Sequence, residues 1–290
     1  MGETWLPPNA DHPIVLFPGM DGGGEWGGAA FDPTTQTMYV NANQTPWIIQ
    51  MTANANFENV GQAVYTNYCG NCHGLERKGN PPAIPSLIGL KEKYSPDSLD
   101  LLLRKGRGAM PAFDYISKEN RAVLVDYLLG KAEIKTDKKE LESANSQLHP
   151  RYYMNGYKKL VTKEGLYGSN PPWGLLTAID MKTGMKKWQI PLGEIDSLSA
   201  QGFAPTGTEN YGGPVATAGG VLFIAATKDE KIRAFDKETG ELLWEAKLPA
   251  AGHATPAVYQ INGKQYLVIA CGGGKGTKSG DAYVAFALPD

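Results

Sequence analysis

The chain has 290 residues, 42% of them hydrophobic and 20% charged, with a formal net charge of -2, an ordinary globular composition and long enough for more than one domain. So balanced a charge excludes a polybasic nucleic-acid or membrane-surface protein. No run of about 18 apolar residues is present to make a spanning helix, and the opening Met1-Gly2-Glu3-Thr4-Trp5-Leu6 has neither the basic nor the apolar region of a signal peptide.

Residues 1–53 read as strands and turns. A glycine-rich stretch, Gly22-Gly23-Gly24-Glu25-Trp26-Gly27-Gly28, is followed by Ala30-Phe31-Asp32-Pro33-Thr34-Thr35 leading to Met38-Tyr39-Val40, a strand–turn–strand unit. The pattern then changes period. Phe57, Val60, Val64, Tyr65 and Tyr68 fall on one face of a helix that runs into Cys69.

Cys69-Gly70-Asn71-Cys72-His73 is the attachment signature of a c-type haem, in which two thiols form thioethers with the haem vinyls and the adjacent histidine reaches the iron. A structural zinc needs four ligands, and the only other cysteine, Cys271, has neither a second C-x-x-C nor a His pair near it. Met110 follows His73 by 37 residues within Gly106-Arg107-Gly108-Ala109-Met110-Pro111. A thioether is the soft second axial ligand that raises a cytochrome potential. Two further helices belong to this segment. One has Ser95 as N-cap and Pro96 at its first position, carries Leu99, Leu102 and Leu103, and stops near Gly106; the other starts at Ser117 and turns Val123, Leu124, Tyr127 and Leu128 inward before Gly130. Residues 54–132 therefore resemble a class I cytochrome c, in which the 80–87 loop is expected to line the haem edge.

A charged run from Lys131 to Glu142 reads as a solvated linker, 133–159. Beyond it Ala178-Ile179-Asp180-Met181-Lys182-Thr183-Gly184 ends at Trp188, and Ala234-Phe235-Asp236-Lys237-Glu238-Thr239-Gly240 ends at Trp244; both follow A-x-D-x-x-T-G-x-x-x-W, offset by 56 residues. Asp and Gly suit tight turns, tryptophan suits packing between blades, and the period suits a propeller. Strands are also legible at 221–225, 256–260 and 265–269, the last two joined through Asn262-Gly263. His253 has two readings, a hydrogen-bonded structural histidine or a substrate contact, and Cys271 reads as a small buried hydrophobe.

The repeats resemble the tryptophan-docking propeller of pyrroloquinoline quinone (PQQ) dehydrogenases. Asn210-Tyr211-Gly212-Gly213-Pro214-Val215, Leu248-Pro249-Ala250-Ala251-Gly252-His253-Ala254-Thr255-Pro256 and Gly276-Thr277-Lys278-Ser279-Gly280-Asp281 look like the C-terminal part of the glucose dehydrogenase branch, and residues 14–50 look like an earlier blade. The resemblance implies PQQ and calcium as cofactors and a sugar or alcohol substrate. It assigns Trp26, Asn210, Gly212 and Gly213 to a quinone wall, and places the general base and calcium carboxylates upstream, with no catalytic residue in this chain. Two departures stand out: Glu25 precedes Trp26 where relatives often have Asn, and the late loop Cys271-Gly272-Gly273-Gly274-Lys275-Gly276 is short and lacks a histidine.

The expected fold is multidomain: part of an eight-bladed all-β propeller, in segments 1–53 and 160–290, with an all-α cytochrome c domain inserted between blades. About 210 residues outside the haem segment make three to four blades, so upstream blades are expected to complete the ring. The implied function is electron transfer through haem c within a PQQ-dependent sugar or alcohol dehydrogenase, passing electrons to a cytochrome, quinone or oxidase. The alternative is a non-catalytic haem-carrying docking module. Covalent haem attachment is expected in the periplasm, with the export signal on sequence outside this chain.

Overall fold

A computed structural model describes residues 6–24, 27–53, 57–131, 139 and 152–288. The chain divides into two compact units, residues 1–14 with 48–158 and residues 15–47 with 159–290. Most of the linker expected at 133–159 lies outside the described residues. No helix among those described is long and apolar enough to cross a membrane.

The second unit is built from antiparallel sheets with the strand organisation of propeller blades. In the first sheet, β1 (Ala30–Asp32) and β2 (Thr37–Asn43) form a hairpin, and β2 pairs with β3 (Gly174–Asp180), which pairs with β4 (Lys186–Pro191). The register runs from Thr37 opposite Asp180 to Asn43 opposite Gly174. Strands from before and after the helical segment are thus neighbours in one sheet. The sequence reading puts that segment between blades; the register puts it inside one. The second sheet is β5 (Val215–Ala216), β6 (Val221–Ile224), β7 (Lys231–Asp236) and β8 (Leu242–Lys247) in order, and the third is β9 (Ala257–Ile261), β10 (Lys264–Cys271) and β11 (Ala282–Ala287). β9 and β10 turn through Asn262 (φ 51°) and Gly263 (φ 80°), the two left-handed positions of a tight hairpin.

The repeated motif works as its spacing suggests. Asp180 Oδ1 accepts from the amides of Lys182 (2.8 Å) and Thr183 (3.2 Å), and Asp236 Oδ1 from those of Glu238 and Thr239 (both 2.8 Å), so each aspartate closes its own turn. Trp188 then lies on the turn of the second copy. Its Nε1 donates to Lys237 O (3.2 Å), and a Cβ at Gly240 would meet its ring at 2.9 Å. Trp244 instead meets Phe286 of β11 edge-on, ring centres 5.2 Å apart. Tyr39, Leu176, Ala178, Leu192, Leu222, Ile224 and Phe235 fill one core, and Ile232, Leu248, Leu267, Ile269 and Cys271 belong to a second. Cys271 is fully buried, which pushes its thiol pKa up.

In the first unit, α1 (Val60–Tyr68), α2 (Gly70–His73), α3 (Pro96–Lys105) and α4 (Lys118–Leu128) enclose a core of Phe57, Val64, Tyr65, Leu99, Leu103, Leu124 and Leu128. Side-chain oxygens of Asn59, Ser95 and Ser117 cap α1, α3 and α4 by accepting from the amides of Gln62, Ser98 and Asn120. Gly61 lets α1 cross α4 closely, since a Cβ there would lie 2.5 Å from Val123 O. The buried face of α4 is Arg121, Leu124, Val125 and Leu128; Val123 and Tyr127 are only partly covered. Met51–Ala53 pairs antiparallel with Tyr152–Met154, so the chain runs into and out of this segment side by side.

A buried ion pair joins the first two sheets. Lys237 Nζ reaches Asp32 Oδ2 at 2.7 Å and Thr217 O at 3.3 Å, with Asp32 only 6% and Lys237 8% exposed. The hydrogen bond from Lys237 outweighs burial and holds the Asp32 carboxyl far below the usual range. Asp32→Ala should cost about 3–5 kcal/mol because it strands a buried cation, and Asp32→Ala with Lys237→Met should recover most of that in urea denaturation. A depressed carboxyl stabilises fully above the ordinary carboxylate range and loses that contribution as pH falls through its lowered value. The stability difference between wild type and the double variant should therefore be flat near neutrality and shrink only in strong acid.

Candidate functional site: the Cys69–His73 turn and the Met110 loop

The C-x-x-C-H run is a single helical turn. Cys69 ends α1, its amide donating to Tyr65 O (2.8 Å), and its carbonyl accepts from Cys72 N (3.2 Å) and His73 N (2.9 Å). Cys69, Cys72 and His73 therefore share one face, at i, i+3 and i+4. Both thiols are unbonded. Burial pushes the Cys69 thiol up to about 12, with Cys72 adding to the rise. A redox dithiol needs the opposite, a thiol made acidic by its surroundings.

His73 is 9% exposed, and its Nδ1 donates to Pro85 O at 3.0 Å. Burial lowers the imidazole pKa against the opposing pull of that bond, which favours the neutral ring. Among the described residues nothing hydrogen-bonds to Nε2. A neutral imidazole tied through one nitrogen with the other left as a lone pair is the state an iron ligand requires. The 80–87 loop that supplies Pro85 is itself fixed. Gly79 N donates to His73 O (2.8 Å), Asn80 and Ile84 exchange backbone bonds (2.8 and 3.0 Å), and a Cβ on Gly79 would meet Ile84 O at 2.4 Å.

Met110 sits in the loop between α3 and α4. It exchanges backbone bonds with Arg107 (3.0 and 3.1 Å), and its side chain packs, partly buried, on the core cluster to which Cys69 belongs. These residues fit a c-type haem: two thiols and a prepared imidazole on one turn, with a soft thioether on the same core.

The quinone-wall residues meet a different fate. Trp26, like Glu25 before it, lies outside the described residues. Asn210 is fully buried and its side chain is spent: Oδ1 accepts from Asn41 Nδ2 (2.6 Å), while Nδ2 donates to Ala42 O and Thr208 O (both 3.2 Å). Gly212 (φ 93°) and Gly213 are required by backbone approach, since their Cβ atoms would lie 2.5 Å from His253 O and 2.6 Å from Gly27 O. The Asn210 side chain is therefore already engaged within the fold, and Gly212 and Gly213 are held by close backbone packing. Among the described residues no three His, Cys, Asp or Glu side chains gather as a metal site.

Beside Asn210 lies a charged cluster that sequence spacing does not reveal. Glu209, fully buried, is paired with Lys159 and with Lys228 (2.5 Å); Lys159 also reaches Asp21 Oδ2 (3.0 Å), to which Tyr211 Oη donates (3.3 Å). Burial pushes the Glu209 carboxyl up, but the two lysines hold it below the usual range. His253 packs edge-on against Tyr211, ring centres 5.3 Å apart, and its Nδ1 donates to Ala226 O (3.1 Å), in keeping with the structural reading. No periodic pattern links residues 21, 159, 209 and 228; only tertiary folding brings them together.

A family model described as cytochrome c oxidase, cbb3-type, subunit III, matches residues 57–128. The glycerol dehydrogenase large subunit of Gluconobacter oxydans is 32% identical over 295 residues, covering 99% of this chain and 31% of its own length. The quinoprotein glucose dehydrogenase of Escherichia coli is 47% identical over 133 residues, 43% of this chain and 17% of its own. Among solved structures, the quinohemoprotein alcohol dehydrogenase from Comamonas testosteroni covers 96% of this chain and 28% of its own, at 17% identity and a TM-score of 0.49. The chain spans about a third of the length of the glycerol dehydrogenase subunits it matches. With residues 115–267, more than half of its length, matching the glucose/ethanol/alcohol dehydrogenase β-propeller domain, the chain belongs to the family of PQQ dehydrogenase propellers.

Proposed function

We propose that residues 54–132 form an all-α cytochrome c domain within a PQQ-dependent dehydrogenase that oxidises a sugar or alcohol, flanked by propeller segments 1–53 and 160–290. In this reading Cys69 and Cys72 attach haem covalently, and His73 and Met110 are its axial ligands. The observation that carries the reading is the His73 imidazole, buried, held through Nδ1 on Pro85 O and with Nε2 engaged by none of the described residues, on the same turn as two thiols. A c-type haem, when bound, supplies a one-electron store whose potential follows its axial ligands and surroundings.

The chain's own residues do the holding. Two thiols on one helical face fix the group at two points, Pro85 fixes the imidazole tautomer, and the Arg107–Met110 turn presents the thioether. The names of the relatives, a glycerol dehydrogenase and a glucose dehydrogenase, support a polyol or sugar as substrate class. Covalent haem attachment supports a periplasmic location.

Expressed in a host that exports and matures c-type cytochromes, the protein should keep a haem stain after denaturing electrophoresis. Cys69→Ala with Cys72→Ala should abolish it; a stain kept by the double variant would sink the assignment. The oxidised protein should show the weak near-infrared thioether-to-iron band. Met110→Ala should lose that band and lower the potential by roughly 100 mV or more, as a harder ligand replaces the thioether. An unchanged potential would mean that another residue holds the sixth position.

A further inference from the structure

The loop that bears Met110 is tied down at both ends. At its start Gly106 (φ 67°) folds the chain back so closely that a Cβ there would lie 2.5 Å from Met110 O and 2.7 Å from the Pro111 carbonyl carbon. At its far end Phe113 N donates to Leu103 O on α3 (2.8 Å), and Ile116 N to Phe113 O (3.2 Å).

Side chains add further ties, Arg107 Nη2 donating to Tyr94 Oη (3.3 Å) and, more deeply buried, Arg121. Arg121, on α4 and only 9% exposed, donates from Nε to Asp100 Oδ1 on α3 (2.9 Å) and from Nη1 to the carbonyl oxygens of Ile116 and Asp114, the latter at 3.3 Å. The other Asp100 oxygen accepts from Arg104 Nε (2.9 Å), whose side chain is 47% exposed. Arg104 shares the carboxylate but donates to no carbonyl of the loop among the described residues. Burial pushes the Asp100 carboxyl up, yet the hydrogen bonds from Arg121 and Arg104 hold it below the usual range.

A buried guanidinium is tolerated only while its N–H groups are answered. Displacing the far end of the loop, where Asp114 and Ile116 lie, takes two carbonyl acceptors from Arg121 while the rest of its side chain stays packed in the helical core. Opening is therefore penalised beyond the loop's own backbone bonds. We propose that Arg121 is a positioning residue: by bridging Asp100 to the carbonyls of Asp114 and Ile116 it latches the Met110 loop shut and governs how often Met110 leaves its ligand position. The latch rests on Met110 being an axial ligand.

The test uses the full haem-loaded chain in its oxidised form and follows the loss of the near-infrared thioether band on adding imidazole. At saturating imidazole the rate reports loop opening. Arg121→Gln should raise that rate about tenfold or more, since a charged hydrogen-bond set is lost. Arg104→Gln, which removes only an exposed ion pair from the same carboxylate, should leave it within about twofold. Retention of the band before imidazole is added reports that a variant is folded and ligated. If Arg121→Gln does not hold its fold, Arg121→Lys takes its place, keeping the charge but not the fork, with an expected acceleration of about threefold or more. An unchanged rate in the Arg121 variant, with the band present in wild type, overturns the latch and leaves the ligand assignment standing. Equal acceleration in the Arg104 and Arg121 variants also overturns it, since the shared ion pair would then account for the effect. Absence of the band from wild type, with no change of potential in Met110→Ala, overturns the ligand assignment and the latch with it.

Discussion

Three buried asparagines set the register on which the β unit depends. Asn41 and Asn43 lie on the covered face of β2, and Asn210 comes to them across 169 and 167 residues of chain. Buried amides must find partners. Here Asn41 reaches Asn210 and Gly212 O, while Asn43 both donates to Asn210 O (3.0 Å) and accepts from Asn210 N (2.8 Å). A slip of one residue in β2 would turn both asparagines to the other face and leave the amides unanswered. With the register fixed, Gly27 can approach Gly212 and Gly213 backbone to backbone. Asp32 is then carried to Lys237 and Trp188 to Gly240, so three different interactions secure the same pair of sheets.

The helical unit is made differently, and this decides what the sequence discloses. Its helix starts are local events: Ser95 with Pro96, and Ser117, announce themselves within three residues of the amides they cap. The Cys69–His73 turn is equally local, because one helical turn brings its three side chains to one face. The A-x-D-x-x-T-G-x-x-x-W copies are legible for the same reason, each aspartate closing a turn two and three residues on. What escapes is long-range or runs against the usual pattern. The covered face of β2 reads Thr37, Tyr39, Asn41, Asn43, mostly polar, so alternation of hydrophobicity gives no sign of its burial or of its pairing with β3. Arg121 escapes because a charged residue on a helix reads as solvated surface, whereas here it lies on the buried face beside Leu124 and Val125. Asn210 escapes in another way: a family motif singles it out, but its bonds to Asn41, Ala42 and Thr208 come only with the tertiary fold.

The large insertion into one sheet is tolerable because its ends are held together. Met51–Ala53 and Tyr152–Met154 pair antiparallel, so the roughly one hundred residues between them behave as a loop that is already closed. Closure cost rises only slowly with length, about 0.6 kcal/mol for each doubling. The pairing of β2 with β3 therefore need not compete with the helical segment for the same residues, and each part can satisfy its own hydrogen bonds.

That separation bears on how the candidate haem site is tuned. The groups that prepare it lie close together along the chain: Pro85 on the imidazole, Gly79 under the Pro85 loop, Gly106 beneath Met110, and Arg121 with Asp100 at the loop's far end. The histidine side is fixed by a hydrogen bond to a loop that is itself stitched by backbone bonds. The methionine side is fixed by backbone bonds and, in addition, by a buried cation acting on two carbonyls and a carboxylate. The two sides differ in what holds them: without Pro85 O the ring would still be buried in its turn, whereas without Arg121 the loop would keep only its other ties. In the proposed reading, the methionine side is accordingly where side-chain chemistry bears most directly on ligation, through the hydrogen bonds of Arg121 and Asp100.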